Sequence, residues 1–256
     1  MNLPRRIFQS RFFNPARFIL DPESEKLRSF VQSAADAVRR GAIVVDVGAG
    51  ECQYKKFFLD KRYVSVDFGG GDQDWDYTQI DVIADIHKLP IKDAMADAVL
   101  CTEVLEHAYN PQEVVCEIAR ILKYEGKAFF TVPQGWGEHQ IPHDYFRYTQ
   151  FGVQVLLSRA GLTAIEIIKT TGLFGYLANR LTMVPKVLFW STKSRVYRAL
   201  LLPAELLSYF LFVICPAVFI APLDVLDRNK IYTLHYTVIA CKNKFDPPEN
   251  EKKIIR

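Results

Sequence analysis

The chain has 256 residues, about half of them apolar, and its 32 basic and 29 acidic side chains give a formal net charge of +3. This length and composition predict one large domain, or a domain with a substantial insertion, that buries a real core. The net charge is too small to indicate a nucleic-acid-binding protein, so no nucleic-acid partner is expected.

The five cysteines are scattered, without a CxxC pair or a nearby histidine at metal-ligand spacing. They indicate neither a disulfide framework nor a zinc site, and no metal is expected. This pattern favours a reducing, cytoplasmic compartment. The N-terminal region has no uninterrupted apolar stretch before a small-residue cleavage site, so no signal peptide is predicted.

Residues 1–22 form a basic and aromatic segment in which arginines lie among phenylalanines. The first helix is predicted to begin at Asp21-Pro22, since aspartate is a good N-cap and proline suits the first helical position. Apolar residues at helical spacing continue this helix to Gly41.

Seven short apolar runs rich in β-branched residues follow, each typical of a strand. They are residues 42–47, 63–68, 81–86, 96–104, 127–133, 162–170 and 232–242. Helical patterns between several of these runs predict βαβ units and a parallel sheet.

Two of the intervening helices have terminal signals. The first should start at Asn110-Pro111, with a capping box completed by Glu113, and end at Gly126. The second should be capped by Thr149 and end near Gly161.

Gly48 and Gly50 follow the first predicted strand and precede another helical stretch, where a backbone turn can approach a ligand closely. Gln53 stands where a dinucleotide-binding turn has its third glycine, so NAD fits poorly. Asp67 and Asp85 end the next two predicted strands. Asp67 is placed to accept hydrogen bonds from ribose hydroxyls, and Asp85 to meet an adenine amino group.

The segments "VVDVGAGE", "VSVDF", "VIADIHKLPI", "ADAVLCTEVLEHAYNPQEVVCEIARILKYEGKAFFTVP" and "HDYFRYTQFGVQVLLSRAGL" together resemble the class I S-adenosylmethionine-dependent methyltransferases of the type 11 kind. The resemblance covers residues 35–170 and the last predicted strand. It implies an α/β fold, a three-layer, Rossmann-like sheet of seven strands with the last strand antiparallel. It also implies S-adenosyl-L-methionine as the cofactor.

By this resemblance the cofactor-binding residues are Asp46, Gly48, Gly50, Asp67, Asp85, Ile86 and Glu103. The first three would line the methionine part, Asp67 would hold the ribose, and Asp85 with Ile86 would frame the adenine. Glu103 falls beside the cofactor. Cys52 replaces the usual third glycine of the family, at the helix contact near the methionine carboxylate.

Candidate catalytic residues lie after the fifth strand. His139 and His143 are candidate bases because histidine is the usual side chain for proton transfer at neutral pH, and Asp144 could orient an imidazole or act as a base itself. Arg147 could hold an anionic group of the acceptor. The alternative is a loop that only seals the pocket, with Asp144 and Arg147 paired to each other. His107 of "EVLEH" is interpreted as structural or cofactor-adjacent.

Residues 172–231 form a long insertion between strands six and seven, in which a basic and aromatic stretch leads into sixteen uncharged residues. This pattern favours contact with an anionic membrane surface, through a shallow hairpin or in-plane helices. A single complete span is not expected, because both ends return to one sheet and Pro203 and Pro216 break or bend a helix. A helical cap over the active site and a dimer interface are the alternatives.

The predicted organisation is therefore a methyltransferase domain over residues 23–171 and 232–243, a helical insertion over 172–231 and a polar tail over 244–256. The expected activity is O-methylation of a membrane-associated acceptor, such as a lipid-linked sugar or polysaccharide precursor, by a peripheral protein on the inner face of the cell membrane. The alternatives are methylation of a polyprenyl quinone precursor and a non-catalytic membrane-bound scaffold. The oligomeric state stays open.

Overall fold

The computed structural model of the protein describes residues 22–71, 74–189 and 195–243. The expected N-terminal segment, apart from Pro22, and the expected polar tail lie outside the described residues.

Seven strands form a single sheet in the order β3-β2-β1-β4-β5-β7-β6. They are β1 Ile43–Val47, β2 Arg62–Asp67, β3 Val82–Ile83, β4 Ala96–Thr102, β5 Leu122–Pro133, β6 Leu162–Lys169 and β7 His235–Lys242. Strands β1 to β5 pair in parallel, and β7 lies antiparallel between β5 and β6. The predicted seven-stranded sheet with an antiparallel last strand is confirmed.

Helices cover both faces of the sheet, namely α1 Pro22–Ala37 on one face, and α2 Pro111–Ile121 and α3 Gln150–Arg159 on the other. Successive side chains of a strand point to opposite faces. Phe129 accordingly packs with Val31 and Ala35 of α1, whereas Phe130 joins the cluster that contains Ile118 of α2. The three-layer prediction is therefore confirmed.

Two elements of the first half differ from the expectation. The helical stretch after the glycine turn is only a short 3-10 turn, Lys55–Phe57, because Cys52 adopts a positive φ of 53° that an α-helix cannot contain. Strand β3 stops at Ile83, ahead of Asp85, whose carboxylate accepts the backbone N–H of His87. This local turn takes the chain out of the sheet.

Helix α2 begins at Pro111 as predicted, but the Asn110 side chain makes no capping hydrogen bond, so the predicted capping box is wrong. The helix also ends at Ile121 and not at Gly126, because Leu122 already pairs with Ala96 of β4. In α3, the Thr149 hydroxyl accepts the Gly152 N–H at 3.1 Å, which confirms the predicted cap.

The insertion is a helical hairpin. Its outgoing arm is α4 Leu173–Leu181 and α5 Met183–Phe189, and its returning arm is α6 Arg195–Tyr209 followed by the turns Phe210–Ile214, Pro216–Ile220 and Ala221–Leu226. α5 packs against α6, and α4 packs against the last of these turns.

A polar clasp closes the root of this hairpin. The Asp224 carboxylate accepts the N–H groups of Gly172 and Gly175, each at 2.8 Å, and Asp227 accepts that of Leu173 at 2.8 Å. The chain therefore leaves and re-enters the sheet at one place.

The returning arm contains one helix, Leu200–Leu226, that is long and apolar enough by length and composition to cross a membrane. Its backbone continues through Pro203 within α6 and past Pro216 in two π-helical turns. The expectation that these prolines break the helix is therefore wrong, and the alternative that they bend it stays a prediction. Only 17% of its most apolar window is buried within the described protein. It is therefore not a core helix of this chain.

Candidate active site

A cavity of about 1270 Å³ opens at the carboxyl ends of β1, β2 and β4. In parallel α/β sheets this edge is where ligands bind, because loops and unpaired backbone groups converge there. Pockets for a single small ligand measure about 300–1000 Å³. The cavity is therefore large enough for a cofactor and an acceptor together.

The glycine turn forms the floor of this cavity. Gly48 and Gly50 have φ angles of 76° and 51°, and a Cβ atom at Gly48 would lie 2.4 Å from Val104. A Cβ at Gly50 would lie 3.0 Å from the Trp75 ring, which lines the cavity. Cys52 also has a left-handed conformation, with a φ of 53°. The turn thus has the cradle shape that the sequence predicts.

Asp67 lies at the cavity and anchors this turn. One carboxylate oxygen accepts the Gly50 N–H at 2.9 Å, and the other accepts the Gly69 N–H at 2.8 Å. Asp46 lies behind the cavity wall, where it is buried and accepts a hydrogen bond from the Tyr63 hydroxyl. Burial raises the pKa of Asp46 to about 7. Its predicted contact with the methionine part of the cofactor stays a prediction.

Asp85 and Ile86 also line the cavity, and their predicted role of framing the adenine stays a prediction. One Asp85 oxygen accepts both the backbone N–H and the ring Nδ1–H of His87, and the backbone bond is the larger cause of its lowered pKa. The His87 ring stacks on Tyr109 at 3.9 Å between centroids. An aromatic surface therefore adjoins the predicted adenine site.

Sequence reasoning missed a buried ion cluster beside Glu103. The ring of His235 on β7 lies between two carboxylates, with Nδ1 at 2.8 Å from Glu23 and Nε2 at 3.0 Å from Glu103. Burial alone would lower the pKa of His235, but the hydrogen bonds and charges of Glu103 and Glu23 outweigh it and raise the pKa to about 10. The ring is thus an imidazolium at neutral pH.

Glu103 itself is held at the edge of the cavity in a strained conformation. Its φ is 54°, and its backbone N–H donates to the carbonyl of Thr131. Its Oε1 is buried without a hydrogen-bond partner among the described residues. Strained backbone and unpaired polar atoms are typical of functional sites. With the glycine cradle and Asp67, this free acceptor fits the amino and hydroxyl groups of S-adenosyl-L-methionine.

The loop after β5 is held by one ion pair. The Arg147 guanidinium donates to both carboxylate oxygens of Asp144 at 2.7 Å and also to the carbonyls of Trp136 and Gly137. These bonds hold the pKa of Asp144 at about 2. Asp144 accepts the backbone N–H of His139 as well, so it positions this loop. Arg147 is already bound within the protein, and the expectation that it holds an anionic acceptor is wrong.

His139 and His143 both line the cavity. His143 is exposed, and its Nδ1 lies 2.8 Å from the Tyr145 hydroxyl. The Nε2 atoms of His139 and His107 face each other at 3.1 Å. His107 follows the buried Glu106 in the loop after β4. Burial raises the pKa of Glu106 well above its usual range, and the nearby charge of Glu103 adds a smaller effect in the same direction. Which histidine acts as the base stays a prediction.

Residues 45–130 match the family described as the methyltransferase domain. This region contains the glycine turn, Asp67, Asp85 and Glu103. No curated protein sequence matches the chain.

Many solved structures share the fold. A protein from Galdieria sulphuraria, described as a candidate sarcosine dimethylglycine methyltransferase, is 14% identical with a TM-score of 0.54, and the match covers 87% of both chains. The Haemonchus contortus phosphoethanolamine N-methyltransferase 2, solved with S-adenosyl-L-methionine, is 12% identical with a TM-score of 0.52, over 95% of this chain and 60% of its own. The 4+2 cyclase SpnF is 16% identical with a TM-score of 0.56, over 87% and 82%. At such identities these likenesses establish the fold alone.

Proposed function

We propose that this chain, a class I S-adenosylmethionine-dependent methyltransferase, O-methylates a membrane-associated acceptor such as a lipid-linked sugar or polysaccharide precursor. S-adenosyl-L-methionine supplies the electrophilic methyl group when bound. The chain's own residues hold the cofactor at the glycine turn, Asp67 and Asp85, exclude water and orient the acceptor.

The observation that carries the proposal is an apolar insertion rooted at the wall of the cavity. Leu206, Phe210 and Phe219 of the returning arm are between 52% and 70% exposed. An apolar surface of this extent is uncommon on a soluble monomer and favours a lipid or protein partner. An outward and returning hairpin suits insertion into one leaflet, because both arms return to the catalytic domain.

The insertion also contacts the cavity wall directly. The Arg180 guanidinium of α4 lies over the rings of Trp136, at 5.1 Å, and Tyr176, at 5.7 Å. Trp136 lines the cavity, and the Tyr176 ring leaves no room for a side chain at Gly135. A lipid-borne acceptor held by the insertion would therefore arrive beside the reacting atoms.

Arg180 favours an acceptor that carries a phosphate. Burial lowers the pKa of this guanidinium, and its Nε is buried without a hydrogen-bond partner among the described residues. A phosphate oxygen would satisfy this donor and its charge. A lipid-linked sugar has such a group beside its lipid, whereas a polyprenyl quinone precursor does not.

Cofactor binding is the first test. Calorimetry should detect S-adenosyl-L-methionine binding to the wild type and a loss of affinity of roughly tenfold or more in Asp67→Ala, because this carboxylate both anchors the turn and faces the cofactor. Asp60→Ala, an exposed aspartate distant in the fold, is the control. Absence of binding to the folded wild type would reject the enzymatic proposal.

Membrane contact is tested by flotation with vesicles that contain anionic lipid. The wild type should float, and the double variant Leu206→Glu/Phe210→Glu should not. The matched control is Leu59→Glu/Phe151→Glu, which charges two apolar residues of the catalytic domain that are 83% and 67% exposed. Equal flotation of the first variant and the wild type would reject the insertion as the membrane contact. If the wild type does not float but forms a dimer, and Leu206→Glu/Phe210→Glu dissociates that dimer, the surface binds a second copy of the chain.

The acceptor is tested by transfer of labelled methyl from S-adenosyl-L-methionine to membrane extracts. Label in a phosphate-bearing glycolipid that is lost in Arg180→Gln supports the proposal. Label in a quinone fraction that is unaffected by Arg180→Gln supports the quinone alternative. An extract that gains no label from a protein that binds the cofactor supports the scaffold alternative.

A further inference from the structure

Three side chains with metal-binding atoms converge at one wall of the cavity. The donor atoms of Glu106, His107 and His139 all lie within 4.8 Å of one another. The two Nε2 atoms are 3.1 Å apart, and Oε1 of Glu106 is 3.7 Å from Nε2 of His107. Glu106 and His107 follow β4, whereas His139 lies in the loop after β5.

The outer nitrogen of each imidazole faces a hydrogen-bond acceptor. His107 Nδ1 lies 2.5 Å from the carbonyl oxygen of His143, and His139 Nδ1 lies 3.2 Å from that of Gly137. A carbonyl oxygen only accepts, so Nδ1 has the proton in both rings. Both Nε2 atoms are then left with lone pairs, and two lone pairs at 3.1 Å repel unless a cation lies between them.

Glu106 gives an independent indication of a cation-binding site. Its side chain is fully buried, and neither carboxylate oxygen has a hydrogen-bond partner among the described residues. A buried carboxylate without a partner is strongly destabilising, so such a group is normally paired, protonated or bound to a metal. The two imidazole Nε2 atoms near this carboxylate have lone pairs and cannot donate to it.

We propose that Glu106, His107 and His139 bind one divalent first-row transition-metal ion, of which zinc is the best fit. Two imidazole nitrogens and one carboxylate are ligands that zinc prefers, whereas magnesium and calcium prefer sets of oxygen atoms. Zinc bonds of about 2.0–2.1 Å in a tetrahedron place two ligands about 3.3 Å apart, close to the observed separation of the two nitrogens.

The surroundings already support such a site. Asp144 accepts the backbone N–H of His139 at 2.9 Å and lies 3.4 Å from its Nδ1. Arg147 fixes Asp144 from the other side. Metal-binding histidines usually have a carbonyl or carboxylate on their outer nitrogen, which orients the ring. His107 and His139 also line the cavity, so an ion held by them would be open to the cavity.

A catalytic role for this metal ion rests on the proposed methyl transfer. An acceptor hydroxyl on the open side of the ion would lose its proton to water more readily, since the cation stabilises the oxygen's negative charge. The oxygen–methyl bond then forms as the sulfur–methyl bond breaks, and its electron pair remains on sulfur as a neutral thioether. Asp144 is paired with Arg147 and is therefore not free to act as a base. A metal ion at this site would give the cavity another way to activate a hydroxyl.

The test is metal binding itself, measured on full-length protein without a histidine tag. After treatment with EDTA, titration with Zn²⁺ followed by elemental analysis should give one zinc per chain, and Mg²⁺ should not compete. Co²⁺ should give the visible absorption of a tetrahedral site. His139→Ala and the isosteric Glu106→Gln should each weaken Zn²⁺ binding by roughly tenfold or more. His143→Ala is the matched control, because it removes a histidine of the same loop but keeps the carbonyl that His107 uses.

The metal proposal is rejected if the wild type binds no stoichiometric zinc, or if His139→Ala and Glu106→Gln bind it as tightly as His143→Ala does. A proton shared between the two imidazoles would then explain their contact. Circular dichroism of each variant shows that it is folded. S-adenosyl-L-methionine affinity is measured separately on the metal-free protein: if it is retained without zinc binding, only the metal proposal fails, whereas its loss from the folded wild type rejects the enzymatic function.

Discussion

The imidazolium of His235 should make the stability of this fold fall at alkaline pH. The folded pKa is about 10, against about 6.5 in an unfolded chain. A histidine whose pKa is raised on folding contributes stability that is fully present below pH 6.5 and is lost as the pH rises through 10. Linkage gives at most about 4 kcal/mol at pH 7 and roughly 0.5 kcal/mol at pH 10.

The perturbation that tests this is His235→Gln, which keeps the shape and hydrogen-bonding capacity of the side chain but removes the positive charge between Glu23 and Glu103. Urea denaturation, followed by circular dichroism at pH 7, 8.5 and 10, gives the free energy of unfolding of each protein. The difference between wild type and variant should shrink by about 3.5 kcal/mol from pH 7 to pH 10. His143→Gln, an exposed histidine, should show no such convergence. A difference for His235→Gln that stays constant over this range would refute the charged state of His235 in its ion cluster with Glu23 and Glu103.

Three further substitutions test other parts of the site. Gly48→Ala should destabilise the fold by about 2 kcal/mol or more and abolish cofactor binding, because its Cβ would lie 2.4 Å from Val104; the added substitution Val104→Ala should recover part of the stability in thermal melts. Thr149→Ala should cost about 1 kcal/mol of unfolding free energy through the lost helix cap, whereas Thr149→Ser should retain it. Arg147→Gln removes both bonds to Asp144 and should raise the carboxyl pKa from about 2 towards its ordinary value, which NMR titration measures; an unchanged pKa would refute the ion pair as its cause.

The sheet and the cofactor edge were predictable from the sequence because they follow from periodicity and topology. A short run rich in β-branched residues, such as Ile43–Val47, is typical of a strand buried on both faces, and the ends of parallel strands meet at one edge. Asp67 ends β2 at this edge as the rule predicts, and Asp85 follows the end of β3 by two residues. The glycine turn was predictable for the same reason, although Cys52 in a left-handed conformation replaced the expected helix by a short turn.

The rest of the site depends on contacts that sequence spacing does not show. His235 and Glu23 are 212 residues apart, and His107 and His139 are 32 apart, so no local motif joins either pair. The absence of a metal was predicted from cysteine and histidine spacing, a signal that is only informative when the ligands are close in sequence. The returning arm was misjudged for a different reason, because its α-helix continues through Pro203 and its π-helical turns accommodate Pro216.

The position of β7 between β5 and β6 sets an order of events during synthesis. Residues 172–231 leave the ribosome before β7. Strand β7 nevertheless lies inside the sheet and provides His235 to the ion cluster with Glu23 and Glu103. Until this last strand arrives, β5 has an open edge and Glu103 lacks its cationic partner. Translation therefore exposes the apolar hairpin to its surroundings before the cavity is complete. A nascent chain that docks on lipid through this hairpin would finish folding its catalytic domain at the lipid surface.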